Sequence, residues 1–290
     1  MKVIVTGAGG LVGRAVVSVF SARGDAVTAF DHQSLDISDE AAVRAAVESQ
    51  MPDALINCAA WTDVDGCESD PGRATCANAI GPELLASACR RVGALLITIS
   101  TDYVFDGEKV GFYTQKDQPN PQSVYATSKL DGERRAQNSW ARTIVARSGY
   151  IFGAGGTNFL STLIDRARLG QHLKVINDMC GTPTYAPHLA ARLHRLAQLD
   201  LPGLYHIVNS GPGASFSEFA EYACELTAFD PQLLQVVSLD SLSRPARRPK
   251  NSRLRCLLSE AIGLEPMPFW REALREFVAQ IPPATRSQAS

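Results

Sequence analysis

The sequence predicts an α/β fold in which a doubly wound parallel sheet carries a smaller α/β lobe. In the first half of the chain, short β-branched runs alternate with segments whose apolar residues recur at helical spacing, the pattern of a parallel sheet covered by helices. A glycine-rich turn joins the first of these runs to the first helix. The second half has fewer regular alternations. We therefore expect the sheet domain in residues 1–150 and mainly the smaller lobe in residues 151–290, with room for the chain to return to the sheet domain.

The turn after the first predicted strand has the glycine spacing of a dinucleotide-binding loop. Thr6 ends the strand, and Gly7, Gly10 and Gly13 follow. Such glycines allow a tight bend, a close approach of the backbone to a pyrophosphate, and close helix–strand packing, while the helix N-terminus faces the phosphates. Glycine patterns also occur in ordinary βα turns, but here the required strand precedes and the required helix follows. The residues assigned to the cofactor in this turn are Gly7, Gly9, Gly10, Leu11, Val12 and Gly13.

Acidic and small residues after the next two strands extend this candidate cofactor site. The strand Ala26–Phe30 is followed by Asp31, where a carboxylate accepts hydrogen bonds from the adenosine ribose hydroxyls. Ligands of open parallel sheets bind beyond the carboxyl ends of the strands, and small residues there let a dinucleotide lie against the backbone. For Ala59 and Ala60, close packing explains the small side chains equally well. The further residues assigned to the cofactor are Asp36, Ile37, Ala59, Ala60 and Trp61.

A Tyr-x-x-x-Lys motif supplies the candidate reaction chemistry. Tyr125 and Lys129 are one helical turn apart and share a helix face. We expect the positive charge of Lys129 to favour the phenolate and so to bring the pKa of Tyr125 closer to neutral. Thr101, at the exit of a predicted strand over residues 94–99, can hold the oxygen that exchanges the proton. The motif alone is common on exposed helices, but the glycine turn upstream favours a catalytic role.

Other segments give predictions of local structure. We expect Ser38 to cap a helix over residues 38–50. The acidic segment 62–70 lacks the spacing of a calcium loop, so we expect an exposed loop there. Residues 71–92 are predicted to form one long helix, and residues 284–290, which have little apolar content, a frayed tail.

Composition and charge exclude several classes of protein. The 290 residues carry a net charge of −2 and the pI is about 6.2, so we expect no nucleic-acid partner. No apolar run is long enough to cross a membrane, and the N-terminus does not resemble a signal peptide. The seven cysteines lack C-x-x-C spacing, which favours a cytoplasmic location over a disulfide framework. His188, His194 and His206 lack metal-ligand spacing, so we interpret them as core or surface residues and expect no metal site.

These motifs resemble those of the extended short-chain dehydrogenase/reductases, and within them the dTDP-4-dehydrorhamnose reductase family. The broader family is matched by the glycine turn and by Thr101, Tyr125 and Lys129. The narrower family is matched by separate segments, so the resemblance covers nearly the whole chain. These segments are residues 100–105, 175–184 and 246–254.

The resemblance implies a Rossmann-type domain that binds NADPH or NADH, and a substrate that is a dTDP-sugar. The implied reaction reduces the 4-keto group of a dTDP-6-deoxy-L-hexulose to give dTDP-L-rhamnose. By the same resemblance, Tyr125 donates a proton to the forming alkoxide, Lys129 lowers the Tyr125 pKa and holds the nicotinamide ribose, and Thr101 bonds the keto oxygen. Asp102 contacts the sugar, and Tyr150 falls where the family places an aromatic residue, often tryptophan, beside it.

A basic run lies late in the chain, with five cations between Arg244 and Arg253. Charge runs are usually solvated loops, but guanidinium groups also bind phosphate oxygens in bidentate fashion. Given the family resemblance, we favour a clamp for the nucleotide diphosphate, formed by Arg247 and Arg248.

Two other functions stay open from the sequence. One is a reductase for another dTDP-4-keto sugar. The other is a non-catalytic regulator that binds a dinucleotide as a structural ligand, because proteins similar to this family include regulatory subunits of methionine adenosyltransferase. Such a regulator need not keep Thr101, Tyr125 and Lys129 together, and this chain keeps all three.

Assembly is expected to differ from that of some family members, which pair through a magnesium ion held by glutamates. The resemblance places one of these glutamates two residues after the third glycine of the turn, where this chain has Ala15. A carboxylate ligand for the hard cation is therefore missing, and we predict a monomer or a weak homodimer formed by other surfaces. Sedimentation with and without EDTA tests this prediction. A dimer that dissociates on chelation and re-forms with magnesium would contradict it.

Overall fold

The computed structural model describes residues 1–281, so the tail predicted at 284–290 lies outside the described residues. Strands and helices alternate in the first part of the chain. The strands there are β1 (Lys2–Thr6), β2 (Ala26–Phe30), β3 (Ala54–Asn57), β4 (Leu95–Thr101) and β5 (Thr143–Ser148). The helices are α1 (Leu11–Ala22), α2 (Glu40–Gln50), α3 (Val64–Ser69), α4 (Pro71–Thr75), α5 (Gly81–Val92) and α6 (Val124–Ser139).

The second part of the chain has shorter strands between its helices. The strands are β6 (Ile151–Phe152), β7 (Leu173–Ile176), β8 (Cys180–Gly181), β9 (Thr184–Tyr185), β10 (Gly203–His206), β11 (Ala214–Ser215) and β12 (Leu234–Val237). The helices are α7 (Phe159–Arg168), α8 (Ala186–Leu199), α9 (Phe216–Thr227), α10 (Leu257–Ala261) and α11 (Trp270–Gln280).

A parallel sheet is the centre of the larger domain. Within residues 1–281 it has six strands in the order β10, β5, β4, β3, β1, β2, and every neighbouring pair is parallel. The predicted α/β fold with a parallel sheet is therefore confirmed. β10 comes from the second half of the chain, so the chain returns to the sheet, and α8 returns with it to pack against α1.

Helices cover both faces of this sheet because successive strand residues point to opposite sides. Val5 of β1 packs with Phe20 of α1 on one face, while Ile4 packs with Val47 of α2 and Leu85 of α5 on the other. The chain runs from β1 outward to β2 and then crosses to β3 on the other side of β1. The strand order therefore reverses between β1 and β3, and open α/β sheets bind ligands beyond the carboxyl ends of the strands at such a point.

The smaller lobe has an aromatic core of its own. Phe152 stacks on Tyr185 with 5.4 Å between the ring centroids, and it meets Phe219 and Phe277 edge-on. Helices α7, α9 and α11 contribute to this core. The second part of the chain also forms three two-stranded sheets, β11–β8, β12–β7 and β6–β9.

The predicted N-cap of α2 is wrong. Asp39 caps the helix, because its Oδ1 accepts hydrogen bonds from the Ala41 and Ala42 amides at 2.9 and 3.0 Å. The Ser38 hydroxyl instead donates to the carboxylate of Asp36, an exposed residue, at 2.7 Å. A carboxylate also suits the positive end of the helix dipole better than a hydroxyl does.

The exposed loop predicted directly after β3 is also wrong. The segment 62–70 contains α3, which Asp63 caps by accepting from the Gly66 amide at 2.9 Å. The helix predicted over residues 71–92 is present. It consists of α4, a π-helical turn at Cys76–Ile80 and α5, which follow one another without a gap. The π-helical turn is the feature that a regular helical periodicity does not predict.

Candidate active site

The glycine turn after β1 is packed so closely that a side chain is excluded at two positions. Gly7 has φ +67°, and a Cβ there would lie 2.5 Å from the amide nitrogen of Ala59. A Cβ on Gly13 would lie 2.1 Å from the Gly7 carbonyl oxygen. Gly10 is the N-cap of α1 and offers no side-chain cap, so the first N–H groups of the helix are left for a bound anion. This cradle fits the pyrophosphate of a dinucleotide.

Asp31, which follows β2, is held in place by the loop after it. Its Oδ1 accepts hydrogen bonds from the Gln33 amide at 3.0 Å, the Ser34 amide at 2.9 Å and the Ser34 hydroxyl at 2.7 Å. The hydrogen bond from the Ser34 hydroxyl is the largest cause that lowers the pKa of Asp31. Its Cβ lies 3.6 Å from where a Cβ on Gly9 would be. A charged carboxylate therefore stands beside the glycine turn, as binding of a ribose requires.

The other predicted cofactor residues have different surroundings. The Ile37 side chain is 6% exposed and packs into the core, where a Cβ on Gly81 would touch it at 2.6 Å. The Trp61 ring lies against the Arg73 guanidinium, whose carbon is 4.4 Å from the ring centroid. Ala60 lines the cavity beyond the strand ends. Of these three residues, Ala60 is the one that lines the active-site cavity.

One cavity of about 470 Å³ brings nine of the predicted residues together. It lies where the glycine turn faces the start of α6 and the carboxyl ends of β4 and β5. The predicted residues that line it are Gly10, Leu11, Val12, Ala60, Thr101, Asp102, Tyr125, Lys129 and Tyr150. Residues predicted to bind a dinucleotide and residues predicted to react thus face the same space.

Tyr125 and Lys129 lie in the first turns of α6 and are both buried, at 9% and 5% exposure. The Lys129 ammonium donates a hydrogen bond to the Ile99 carbonyl of β4 at 2.8 Å, and burial lowers the pKa of Lys129 to about 8. Burial raises the pKa of Tyr125, and its contact with Thr101 only partly opposes this shift. The expected lowering of the Tyr125 pKa is therefore wrong for this structure, because removing the phenol from water outweighs any effect of the ammonium.

Asp102 is a buried carboxyl residue that lines the same cavity. The residue is 2% exposed, and its Oδ1 accepts a hydrogen bond from the Thr101 hydroxyl at 3.2 Å. Burial raises the pKa of the carboxyl to about 6, and hydrogen bonds from the Ser252 and Thr101 hydroxyls partly oppose this rise. A Cβ on Gly149 would lie 2.2 Å from the carboxyl carbon, so a glycine is needed there. These neighbours therefore hold the Asp102 side chain in place at the wall of the cavity.

Tyr150 forms one wall of the cavity in an uncommon backbone conformation. Its φ is +49°, in the left-handed region that costs a non-glycine residue about 1–3 kcal/mol. The ring stacks on Phe216 with 4.7 Å between centroids, and a Cβ on Gly181 would lie 2.3 Å from the ring. Within the described residues its buried hydroxyl has no hydrogen-bond partner. The surrounding fold therefore holds this hydroxyl and ring at a fixed place beside the cavity.

The structure does not bring Arg247 and Arg248 to this cavity. Arg248 is only 8% exposed and is paired in bidentate fashion with Asp65 of α3, at 2.8 and 2.6 Å. The Arg247 side chain is 65% exposed, and its guanidinium donates to the Gln122 side chain at 3.3 Å. Arg248 thus joins the basic run to α3, and Arg247 lies at the surface.

The described part of the chain has neither a membrane-spanning helix nor a metal-binding cluster. Among residues 1–281, no helix combines the length and apolar character needed to cross a membrane. The same residues contain no cluster of three or more His, Cys, Asp or Glu side chains that could hold a metal ion. His188 pairs with Glu276 at 2.8 Å and His194 with Asp25 at 3.0 Å, while the His206 ring bonds to backbone carbonyls.

Comparison with known proteins identifies the family. A family model described as the RmlD substrate binding domain matches residues 1–282. The chain belongs to this family. A dTDP-4-dehydrorhamnose reductase of Streptomyces griseus is 40% identical over 279 residues, which cover 94% of this chain and 91% of that relative. The resemblance inferred from the motifs is therefore confirmed.

Two other known proteins are similar to this RmlD-family chain over nearly their whole length. A Streptomyces antibioticus protein, named a probable dTDP-4,6-dihydroxy-2-methyloxan-3-one 4-ketoreductase, is 34% identical over 298 residues and covers 100% of both chains. The crystal structure of a dTDP-4-dehydrorhamnose reductase from Bacillus anthracis in complex with NADP has a TM-score of 0.93 and 32% identity. That match covers 97% of this chain and 100% of the other.

Several cations near the site of this RmlD-family chain were not predicted. A second cavity of about 580 Å³ shares Tyr103, Phe159 and Phe216 with the active-site cavity. Its basic lining residues are Arg166, His172, Lys174 and Arg244. The first three come from α7, β7 and the loop between them, and no motif links them in the sequence. Arg244 belongs to the basic run, for which the sequence-based prediction names Arg247 and Arg248 instead.

Proposed function

We propose that this chain is an NAD(P)H-dependent dTDP-4-dehydrorhamnose reductase, which reduces the 4-keto group of a dTDP-6-deoxy-L-hexulose to give dTDP-L-rhamnose. The observation that carries the proposal is the cavity that joins the glycine cradle to Thr101, Tyr125 and Lys129. Membership of the RmlD family and relatives named as this reductase support it.

The residues of the cavity suit the reduction of a ketone. When bound, the nicotinamide supplies a hydride to the carbonyl carbon, and the π electron pair of the carbonyl moves to its oxygen. Tyr125 donates its hydroxyl proton to this oxygen as the alkoxide develops. Because burial raises the pKa of Tyr125, the phenol is protonated when the ketone arrives. Thr101 orients the keto oxygen, and the ammonium of Lys129 holds the nicotinamide ribose.

The second cavity is our candidate for the nucleotide part of the substrate. It adjoins the reaction cavity through Tyr103, Phe159 and Phe216, so a ligand can extend from one into the other. Its cations suit a diphosphate, and its aromatic walls suit a base. We therefore assign the diphosphate to Arg244 and the cations of α7 and β7. Arg248 then acts indirectly by fixing the loop through Asp65, and the role proposed for Arg247 has the least structural support.

The hexose itself is assigned to the residues between these two parts. Asp102 lines the reaction cavity, and so does Tyr150, whose buried hydroxyl has no hydrogen-bond partner within the described residues. An ordered sugar hydroxyl can satisfy such an atom, and a hexose that lacks the matching hydroxyl leaves it unpaired. We propose that these two side chains select the hexose.

Both dinucleotides should serve as cofactor. The carboxylate of Asp31 repels the 2′-phosphate of NADPH. The guanidinium of Arg14 is a cation beside the same turn, because it donates to the Gly9 carbonyl at 2.5 Å. We expect kcat/KM values for NADH and NADPH within about 100-fold of each other, roughly 2.7 kcal/mol. A larger ratio in steady-state assays would contradict this balance.

The proposed function is tested by adding purified protein to NADH or NADPH and several dTDP-4-keto sugars. We expect oxidation of the cofactor with dTDP-4-dehydrorhamnose to exceed that with the other sugars in kcat/KM. Oxidation with a different dTDP-4-keto sugar only would keep the reaction type and replace the substrate. Absence of oxidation with every sugar, in protein that binds the cofactor, would reject the proposal.

Two alternative functions have less support from the site than the proposed reductase. Reduction of another dTDP-4-keto sugar is favoured by the Streptomyces antibioticus relative and by Tyr150 at a position where the family often has tryptophan. A regulatory subunit of the methionine adenosyltransferase type would need no reaction cavity. The buried contact between Thr101 and Tyr125, with Lys129 lining the same space, argues against that alternative.

The cysteines and Ala15 bear on the cellular location of the protein and on its assembly. We infer a cytoplasmic enzyme, because all seven cysteines, which lie within residues 1–281, are free thiols. Ala15, a residue of α1, packs against the core and offers no side-chain oxygen ligand to a cation. This position supports our prediction that no magnesium ion bridges two copies through this helix.

A further inference from the structure

Arg14, an exposed residue in the first turn of α1, contacts a loop of the smaller lobe. Its guanidinium donates one hydrogen bond to the Gly9 carbonyl at 2.5 Å and another to the Gly155 carbonyl. Gly155 belongs to the lobe loop, residues 153–158, which connects β6 to α7. A guanidinium suits this task because it has separate nitrogens for two acceptors. This side chain with its two bonds, the Arg14 strap, joins the cofactor cradle to the smaller lobe.

The lobe loop has the shape that the strap requires. Gly155 has φ +72°, and a Cβ there would lie 2.8 Å from Nη2 of Arg14. A Cβ on Gly156 would lie 3.1 Å from Cδ2 of Leu11, and a Cβ on Gly153 would lie 3.4 Å from Cδ1 of the same leucine. Three glycines among four residues give the loop many accessible backbone conformations. Contacts with the first turn of α1 therefore help to select one of them.

The lobe loop leads directly to residues that lie between the two cavities. Asn158 ends the loop and caps α7, since its Oδ1 accepts from the Ser161 amide at 3.0 Å. Phe159, the next residue, lines both the reaction cavity and the second cavity, and Arg166 of the same helix lines the second. The conformation of the lobe loop therefore affects where α7 presents its side chains to the proposed nucleotide site.

The other end of the strap lies at the cofactor cradle. The Arg14 amide donates to the Gly10 carbonyl at 3.0 Å, and Gly10 and Leu11 line the reaction cavity. A pyrophosphate at the first N–H groups of α1 fixes this turn of the backbone. An occupied cradle thus holds Arg14 in place, Arg14 holds the lobe loop, and the loop holds the start of α7.

We propose that the Arg14 strap couples the two ligands, so that a bound dinucleotide makes the second cavity bind a nucleoside diphosphate more tightly. The inference rests on the proposed function, because it takes a dinucleotide and a dTDP-sugar as the ligands. Ordering of the lobe loop is the physical origin of the coupling. The first ligand bears the entropy cost of this ordering, and the second ligand then binds to a loop that is already ordered.

Calorimetric titration with dTDP, in the presence and absence of NADH, measures the coupling. In wild-type protein we expect the Kd for dTDP to fall by about fivefold or more when NADH is saturating. Arg14→Ala removes the strap, so its Kd for dTDP should agree within about twofold with and without NADH. The same factors must apply to the Kd for NADH with and without dTDP, because the coupling of two binding equilibria is reciprocal.

Gly155→Ala tests the strap while the charge of Arg14 is kept. The added Cβ takes the place of the guanidinium, and it also disfavours the backbone conformation at φ +72°. We expect this variant to lose the coupling as Arg14→Ala does. Because the cation remains, the ratio of the Kd values for NADH and NADPH should stay within about twofold of the wild-type ratio.

Gly170→Ala is the matched control for Gly155→Ala. Gly170 lies just beyond α7 and has φ +68°, but a Cβ there meets nothing within 4 Å. The variant therefore has a similar backbone penalty in the same lobe and leaves the strap intact. We expect wild-type coupling in this variant.

Amide hydrogen exchange of residues 153–158 reports the ordering of the lobe loop directly. Saturating NADH should slow this exchange in wild-type protein and leave it unchanged in Arg14→Ala. Exchange that NADH slows equally in both proteins would overturn the role of the strap.

The outcomes separate this inference from the proposed function. Wild-type protein that binds neither NADH nor dTDP overturns both. Coupled binding without turnover of any dTDP-4-keto sugar rejects the reductase and retains the strap. Wild-type protein that reduces such a sugar but binds dTDP no more tightly with NADH overturns the coupling alone. Coupling that persists in Arg14→Ala or in Gly155→Ala, or that Gly170→Ala also loses, overturns the strap.

Discussion

Tyr125→Phe should lower kcat by about 10²-fold or more while the Kd for the cofactor stays close to the wild-type value. The substitution removes the hydroxyl that would protonate the developing alkoxide, and it keeps the ring that fills the buried space. Stopped-flow measurement of a single turnover separates this loss from any change in product release. Near-normal turnover would remove Tyr125 from the proton-donor role.

Tyr103→Phe is the control for this experiment. Tyr103 lines the same cavity, and its ring meets that of Tyr125 edge-on with 6.3 Å between the centroids. The variant removes a second phenol from the same surroundings without removing the proposed acid. We expect its effect mainly on the KM for the sugar. An equal loss of kcat in both variants would show that the cavity needs two phenols and that Tyr125 has no special role.

Glu133→Ala should destabilise the protein by about 3–5 kcal/mol, because it leaves a buried cation without its partner. The side chains of Glu133 and Arg147 are 3% and 4% exposed and form a bidentate pair at 2.9 and 2.6 Å, to which the Ser100 hydroxyl also donates. Glu133 is one helical turn after Lys129, and its charge opposes the lowering of the Lys129 pKa. The free energy of unfolding, measured with urea, tests the prediction.

A surface ion pair and a double replacement are the controls for this prediction. Glu260→Ala breaks a bidentate pair with Arg255 whose side chains are 49% and 59% exposed, so it should change stability far less than the buried substitution. Replacing Glu133 with leucine and Arg147 with methionine together should recover most of the lost stability, since no buried charge remains. A Glu133→Ala variant as stable as Glu260→Ala would contradict the buried-pair interpretation.

The sequence predicts those parts of the site that depend on local spacing. The glycine turn, Asp31 and the Tyr-x-x-x-Lys motif each lie on one segment, where periodicity and turn chemistry decide the structure. These local rules account for the left-handed backbone conformation of Gly7 and for the burial of Tyr125 and Lys129 on one face of α6. The predicted fold class depends on the same local alternation, and the sheet confirms it.

What the sequence could not predict depends on contacts between distant segments. The bond from Asn78 to Trp61 and the pair between Asp65 and Arg248 join elements whose approach no local pattern records. The rise in the pKa of Tyr125 has the same origin, since it follows from burial by surrounding elements and not from the residue four positions later. The spacing of Tyr125 and Lys129 therefore identifies them as candidate catalytic residues. The direction of the pKa shift of Tyr125 depends on its burial in the folded chain.

The transfer of deuterium from cofactor to sugar is the most direct test of the proposed reductase. Wild-type protein is given dTDP-4-dehydrorhamnose and NADH that carries deuterium at one face of the nicotinamide C4, with each face labelled in turn. We predict dTDP-L-rhamnose with deuterium at the sugar C4 from one labelled form only, and a loss of this product in Tyr125→Phe. Protein that binds NADH tightly but transfers no deuterium to any dTDP-4-keto sugar would contradict the proposed function and favour a non-catalytic dinucleotide-binding regulator.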